Sequence, residues 1–129
     1  MSLRRCLTLA LVAAATLSGC QRLTYEHSVK VPPFGVHRIE FDAPKYAQKL
    51  TIEAHSPSSP VSVYLVRQED SSAAQDQLEN DKKPNAPLAS MDKSEDIALE
   101  ASVPAKTAFV LLIRAEQKAA EVRVKVTGR

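Results

Sequence analysis

Along most of this chain apolar and polar residues take turns at successive positions, which is the two-residue period of a half-buried β-strand and not the 3.6-residue period of a helix. Lys49 to Ser56 sets Leu50, Ile52 and Ala54 on one face against Thr51, Glu53 and His55 on the other. Ala120 to Thr127 does the same with Val122, Val124 and Val126 against Arg123 and Lys125, and Gly35 to Asp42 with Ile39 and Phe41 against Arg38 and Glu40. Tyr25 to Val31 runs into Pro32-Pro33, which cannot donate ladder hydrogen bonds, so it reads as an edge strand or the end of one. Val61 to Arg67 is a further strand, reached through the turn-rich Ser56-Pro57-Ser58-Ser59-Pro60. Leu88 to Met91 and Ile97 to Val103 are shorter candidates.

Two segments depart from simple alternation. Thr107 to Ala115 is apolar on both faces, with Phe109, Leu111 and Ile113 against Val110 and Leu112, which predicts a central strand covered on both sides. In Val61 to Arg67, Tyr64 and Val66 face away from Val63 and Leu65, consistent with a strand buried on both faces or with an exposed recognition patch; the buried strand is the expectation. Gln68 to Pro87 carries little apolar material and reads as the long loop of the domain, with one or two helical turns over Ser71 to Glu79 capped by Ser71 or Ser72. Seven or eight short strands without a long helical pattern predict an all-β fold, an antiparallel two-sheet β-sandwich over residues 25–129, with a barrel as the alternative. The strands from Val61-Ser62-Val63-Tyr64-Leu65-Val66 through Phe109-Val110-Leu111-Leu112-Ile113 to the final valines resemble bacterial pre-peptidase C-terminal-type sandwich domains, across about Gly35 to Thr127. That resemblance implies a noncatalytic accessory or binding module.

The first nineteen residues have another character. A basic start (Arg4, Arg5), an apolar run from Leu7 to Leu17 and the small Ser18 and Gly19 follow the order of an export signal. The run is about half of the roughly 20 residues that a bilayer-spanning helix needs, so cleavage is expected over retention. Leu17-Ser18-Gly19-Cys20 resembles the lipobox of bacterial lipoproteins. The resemblance implies that the Cys20 thiolate takes a diacylglyceryl group, that a signal peptidase cuts between Gly19 and Cys20, and that the new amino terminus gains a third acyl chain. Two or more chains are what stable anchoring requires. Residues 1–19 are thus the expected helical signal peptide, 20–24 the lipidated tether. Cys6 lies in the discarded leader, so Cys20 would be left as a lone thiol in an exported protein, and acylation accounts for it. Gln21, not Asp, follows Cys20, which in enterobacteria-like sorting implies the outer membrane over the inner.

Charge removes one class of function. The seventeen basic residues include Arg4 and Arg5 of the leader, which leaves fifteen against fifteen acidic residues beyond it. No basic stripe with interleaved aromatics is present, so nucleic-acid binding is not expected. Tryptophan is absent and only Tyr25, Tyr46 and Tyr64 could offer stacking faces to a sugar. No Gly-x-Ser-x-Gly elbow, Gly-rich phosphate loop or further cysteine supplies a nucleophile or cofactor cradle, so neither catalytic residues nor a cofactor are expected. His27, His37 and His55 form no closely spaced pair, and Glu69, Asp70, Asp76, Glu79 and Asp81, offset by Lys82 and Lys83, lack an EF-hand arrangement, so a metal site is not expected either. The expectation is a cell-envelope module held to the membrane by acyl chains on Cys20 and bound to another envelope protein through the Gln68–Pro87 segment or a free strand edge. The alternative is a binding module for a small molecule, sugar or ion, which needs a concave pocket with convergent polar groups.

Overall fold

The computed structural model describes residues 23–129. Cys6, the lipobox and the cleavage position at Gly19 and Cys20 lie outside them. The described chain forms β1 (Leu23–Val31), β2 (Val36–Phe41), β3 (Gln48–His55), β4 (Val61–Arg67), α1 (Gln68–Glu79), β5 (Ala89–Ser94), β6 (Asp96–Val103), β7 (Phe109–Ala115) and β8 (Ala120–Gly128). The strands make two four-stranded antiparallel sheets, ordered β1-β8-β3-β6 and β2-β7-β4-β5. The all-β sandwich with eight strands is as the alternation requires, and no barrel closes. Every connection except β4 to β5 crosses from one sheet to the other, the order of a double-sheet jelly roll.

Period two places the core. In the first sheet Val29, Val31, Leu50, Ile52, Val122, Val124, Val126, Ile97 and Val103 point inward; in the second, Ile39, Phe41, Val63, Leu65, Phe109, Leu111 and Ile113 meet them. Burial of each larger side chain contributes roughly 1.5–3 kcal/mol before entropy is subtracted. Phe41 and Phe109, opposite one another in register, stack at 4.9 Å between ring centroids. β1 is an edge strand, as the diproline implies, and it begins at Leu23, two residues inside the segment expected as tether.

The polar stretch after β4 is where the fold departs from expectation. Twelve residues of it are helix, not a loop with one or two turns. Its buried residues, Ser71, Ala74 and Leu78, fall at spacings of three and four and make a single narrow stripe. That stripe packs on the outer face of the second sheet with Tyr64, Val66, Val110 and Leu112, a second small core distinct from the one between the sheets. β4 and β7 are therefore buried on both faces. The helix begins after Arg67 with no side-chain cap, and the buried Ser71, instead of capping, donates to Gln68 O and accepts a 2.8 Å bond from Arg38 Nη2. Glu69 and Asp70 in the first turn complement the positive end of the helix dipole.

Candidate functional site

The carboxyl end of α1 is closed by a Schellman motif: Lys82 N–H bonds Gln77 O at 2.7 Å and Asp81 N–H bonds Leu78 O at 3.1 Å, with Asp81 left-handed at φ 58°. This turn bends the chain back over the outer face of the second sheet and aims Asp81 at Arg114, the outward residue of β7 that follows Val110 and Leu112. Arg114 Nη1 donates to Asp81 Oδ1 at 3.0 Å. Arg114 is 9% exposed, whereas the Asp81 side chain is 85% exposed.

Beside this pair, Tyr64 on β4 donates its hydroxyl to Asp92 on β5, and Lys83 Nζ lies 2.9 Å from the other carboxylate oxygen of Asp92. The local backbone is irregular in support of this. The β4–β5 register shifts between Val61 and Val63, and Lys93, at φ 47°, turns its N–H to Ser62 Oγ at 3.1 Å. The hydrogen bond from Tyr64 holds the Asp92 carboxyl below its ordinary range, with Lys83 adding to the effect. Burial, with the Asp92 bond second, pushes the Tyr64 hydroxyl well above its usual value.

Ser62, Tyr64, Asp81, Lys83, Asp92 and Arg114, with Leu78, Lys82, Lys93 and Glu116, enclose a recess of about 320 Å³. On two of the lining residues, Arg114 Nε and Glu116 Oε1 are buried away from solvent without a hydrogen-bond partner. Polar groups of both signs thus converge in one concavity, which is what a ligand site needs.

The outer face of the first sheet differs in this respect. A shallow trough of about 350 Å³ crosses β1, β8, β3 and β6 there, with its charges matched across strands. Arg123 Nη2 donates to Glu26 Oε1 at 2.9 Å, His55 pairs with Asp96, and Glu53 lies opposite Lys125. The Arg123 bond and charge hold the Glu26 carboxyl below its ordinary range. These are exposed cross-strand pairs on a solvated face, each of small energetic weight.

The sequence-based candidates are scattered. His27 is on β1, His37 on β2 and His55 on β3. Among the described residues no group of three or more His, Cys, Asp or Glu side chains is placed to hold a metal ion, and no helix is long and apolar enough to cross a membrane. Of the acidic set, Glu69, Asp70, Asp76 and Glu79 ride on α1, and Asp81 alone reaches the recess. Arg114, Asp92 and Glu116 were not legible as site residues. The available signal was the charge of Arg114 at an outward position of a strand otherwise apolar on both faces.

No family model matches the chain, and no curated protein matches it. Solved structures share its fold. A mitogen derived from Yersinia pseudotuberculosis superposes with a TM-score of 0.57 at 10% identity, over 81% of this chain and 85% of its own. The pre-peptidase C-terminal domain of a collagenase from Bacillus anthracis gives 0.55 at 9% identity, over 81% and 88%. A periplasmic inhibitor of g-type lysozyme from Aeromonas hydrophila gives 0.53 at 10% identity, over 86% and 89%. At such identities the likeness is one of fold. It extends to a pre-peptidase C-terminal domain, the class that the strand pattern resembles.

Proposed function

We propose that this protein is a noncatalytic, lipid-anchored module of the bacterial envelope that binds another envelope protein as an accessory or scaffold subunit, through a strand that the partner adds to β1. The observation that carries this reading is β1 itself. It pairs with β8 at every position from Leu23 to Val31 and is the outermost strand of its sheet, longer than the other edge strands β6, β2 and β5. A long, unbroken edge is a template for strand addition, and proteins without such a partner tend to shorten, bulge or charge their edges. β1 has no register shift along its pairing with β8, and of its nine residues only Lys30 is a lysine or arginine. The aromatic ring of Phe34, 57% exposed, stands in the turn just beyond it. Pro32 and Pro33 would limit an added strand at this end.

The anchor rests on the lipobox, Leu17-Ser18-Gly19-Cys20, with acyl chains on Cys20 and Gln21 favouring the outer membrane. Leu23 opens β1, so little chain separates the anchor from the proposed contact strand. Two of the proteins sharing the fold support an exported setting, one being a periplasmic lysozyme inhibitor and one the pre-peptidase C-terminal domain of a collagenase. The test is crosslinking of the anchored protein in cells, followed by mass spectrometry, with Cys20→Ser as the unanchored control. One dominant envelope protein, lost in the control, is the expected result. Absence of a reproducible partner contradicts the reading.

A further inference from the structure

We propose that the end of the sandwich at which β1 begins docks on an anionic phospholipid surface, with Lys45, Lys49 and Lys106 against the headgroup phosphates and Tyr46 at the interface. The inference rests on the proposed lipid anchor at Cys20 and adds how the domain sits on its membrane.

Strand register gathers these groups at one end. Leu23 pairs with Gly128, and Gly128 pairs also with Leu50, so the start of β1, the end of β8 and the start of β3 lie side by side. Gln48 pairs with Val103, which brings the 42–47 and 104–108 loops to the same end, and a 2.7 Å bond from Lys106 N–H to Pro44 O ties them together. Lys45, Tyr46, Lys49, Lys106 and Arg129 are all exposed there. Lys49 and Arg129 exchange both backbone hydrogen bonds, at 2.9 and 3.1 Å, and so stand directly opposite one another. Like charges placed in this way repel.

Farther along the same outer face, cations meet acids. Arg123 bonds Glu26, His55 pairs with Asp96, Lys125 lies opposite Glu53, and Lys30 lies opposite Glu121. Among the described residues none of Lys45, Lys49, Lys106 and Arg129 belongs to an ion pair. Asp42, in the same loop as Lys45, is in none either, and Glu69 and Asp70 belong to the first turn of α1, on the second sheet. The matching of charge thus stops at the end where the chain arrives from its anchor.

Reach supplies the partner. Cys20 precedes Leu23 by three residues, so the acyl chains hold this end within about 10 Å of the headgroups. That is roughly one Debye length at physiological salt, the range over which an anionic leaflet attracts lysine. Tyr46, 70% exposed, has the apolar ring and polar tip that suit a membrane interface. β1 runs away from the docked end, which leaves its edge open to the proposed protein partner.

The chain contains no tryptophan, so Tyr46→Trp introduces a single indole reporter. The acylated protein carrying it is reconstituted into phosphatidylcholine vesicles with and without phosphatidylglycerol, and indole emission and quenching by doxyl-labelled lipid are recorded. Flotation with both kinds of vesicle reads the anchor alone. Docking predicts blue-shifted, quenched emission on the phosphatidylglycerol vesicles, reversed by high chloride. Adding Lys49→Gln and Lys106→Gln should lower the ratio of docked to undocked protein about tenfold or more. Protein that floats with both vesicles but emits identically on each, or that is indifferent to the lysine substitutions, overturns the docking and leaves the anchor standing. Protein that floats with neither overturns the anchor and the docking with it. Reversal by inorganic phosphate well beyond that by chloride at equal ionic strength would assign the cations to a free anion, and it overturns the lipid docking as well.

Discussion

Tyr64 on β4 donates its buried hydroxyl to the carboxylate of Asp92 on β5, joining the small core under α1 to the polar rim of the recess. The two groups titrate in opposite directions. Asp92 is held low, so its contribution to stability is complete above its ordinary value of 3.8 and is lost as pH falls through the lower folded-state value. Tyr64 is pushed up from 10.0, so its contribution is complete below that pH and is lost as pH rises toward the higher folded-state value. Tyr64→Phe should cost about 1 kcal/mol near neutrality. Urea unfolding at a series of pH values should show the gap between the two proteins closing below about pH 4 and above about pH 10. Tyr25, also raised by burial, leaves some alkaline sensitivity in the variant. Parallel stability curves across the whole range would count against this coupling.

Leu78 is the largest apolar side chain that α1 contributes to the outer core, and it is 2% exposed. Leu78→Ala should destabilise the protein by about 2–4 kcal/mol, the range for a buried leucine whose cavity cannot collapse. Because the helix is held on the sheet chiefly by Ala74 and Leu78, much of the helical circular dichroism should be lost at lower denaturant than the β signal. Simultaneous loss of both signals at the parental midpoint would show that α1 contributes less than its burial indicates.

Asp81 occupies a left-handed position in the Schellman turn, where a β-carbon costs roughly 1 kcal/mol relative to glycine. Asp81→Gly removes that strain but leaves the buried Arg114 guanidinium without its ionic partner, a loss of about 1–3 kcal/mol, so thermal unfolding should show a small net destabilisation. Asp81→Val, β-branched at the same φ, should lower stability by about 1–3 kcal/mol. Because both variants lose the Arg114 contact, the difference between them reads the backbone term alone, and equal stabilities would show that the left-handed position carries no strain.

The sandwich was legible because its inner faces obey period two in every long strand. Val122, Val124 and Val126 leave no other register, since a slip of one residue would turn all three to water. The covering of β4 and β7 was legible as well, in the outward Tyr64, Val66, Val110 and Leu112. What covers them was not. The buried stripe of α1 is Ser71, Ala74 and Leu78, only one of which is strongly apolar, so the segment reads as a polar loop; its helicity depends on a surface that includes Val110 and Leu112 of β7, far along the chain. The recess was illegible for the same reason. Arg114, Asp81 and Asp92 come from three separate elements, and only the Schellman turn and the irregular β4–β5 register bring them together.

The proposed contact at β1 is tested most directly by a photo-crosslinking amino acid placed, in the anchored protein in living cells, at Ser28 or Lys30 on β1 and separately at Ser102 on the opposite edge strand β6. All three positions are exposed. Strand addition to β1 requires the same envelope protein to be captured from Ser28 and Lys30 and not from Ser102. Equal capture from both edges, or capture from Ser102 alone, would contradict it.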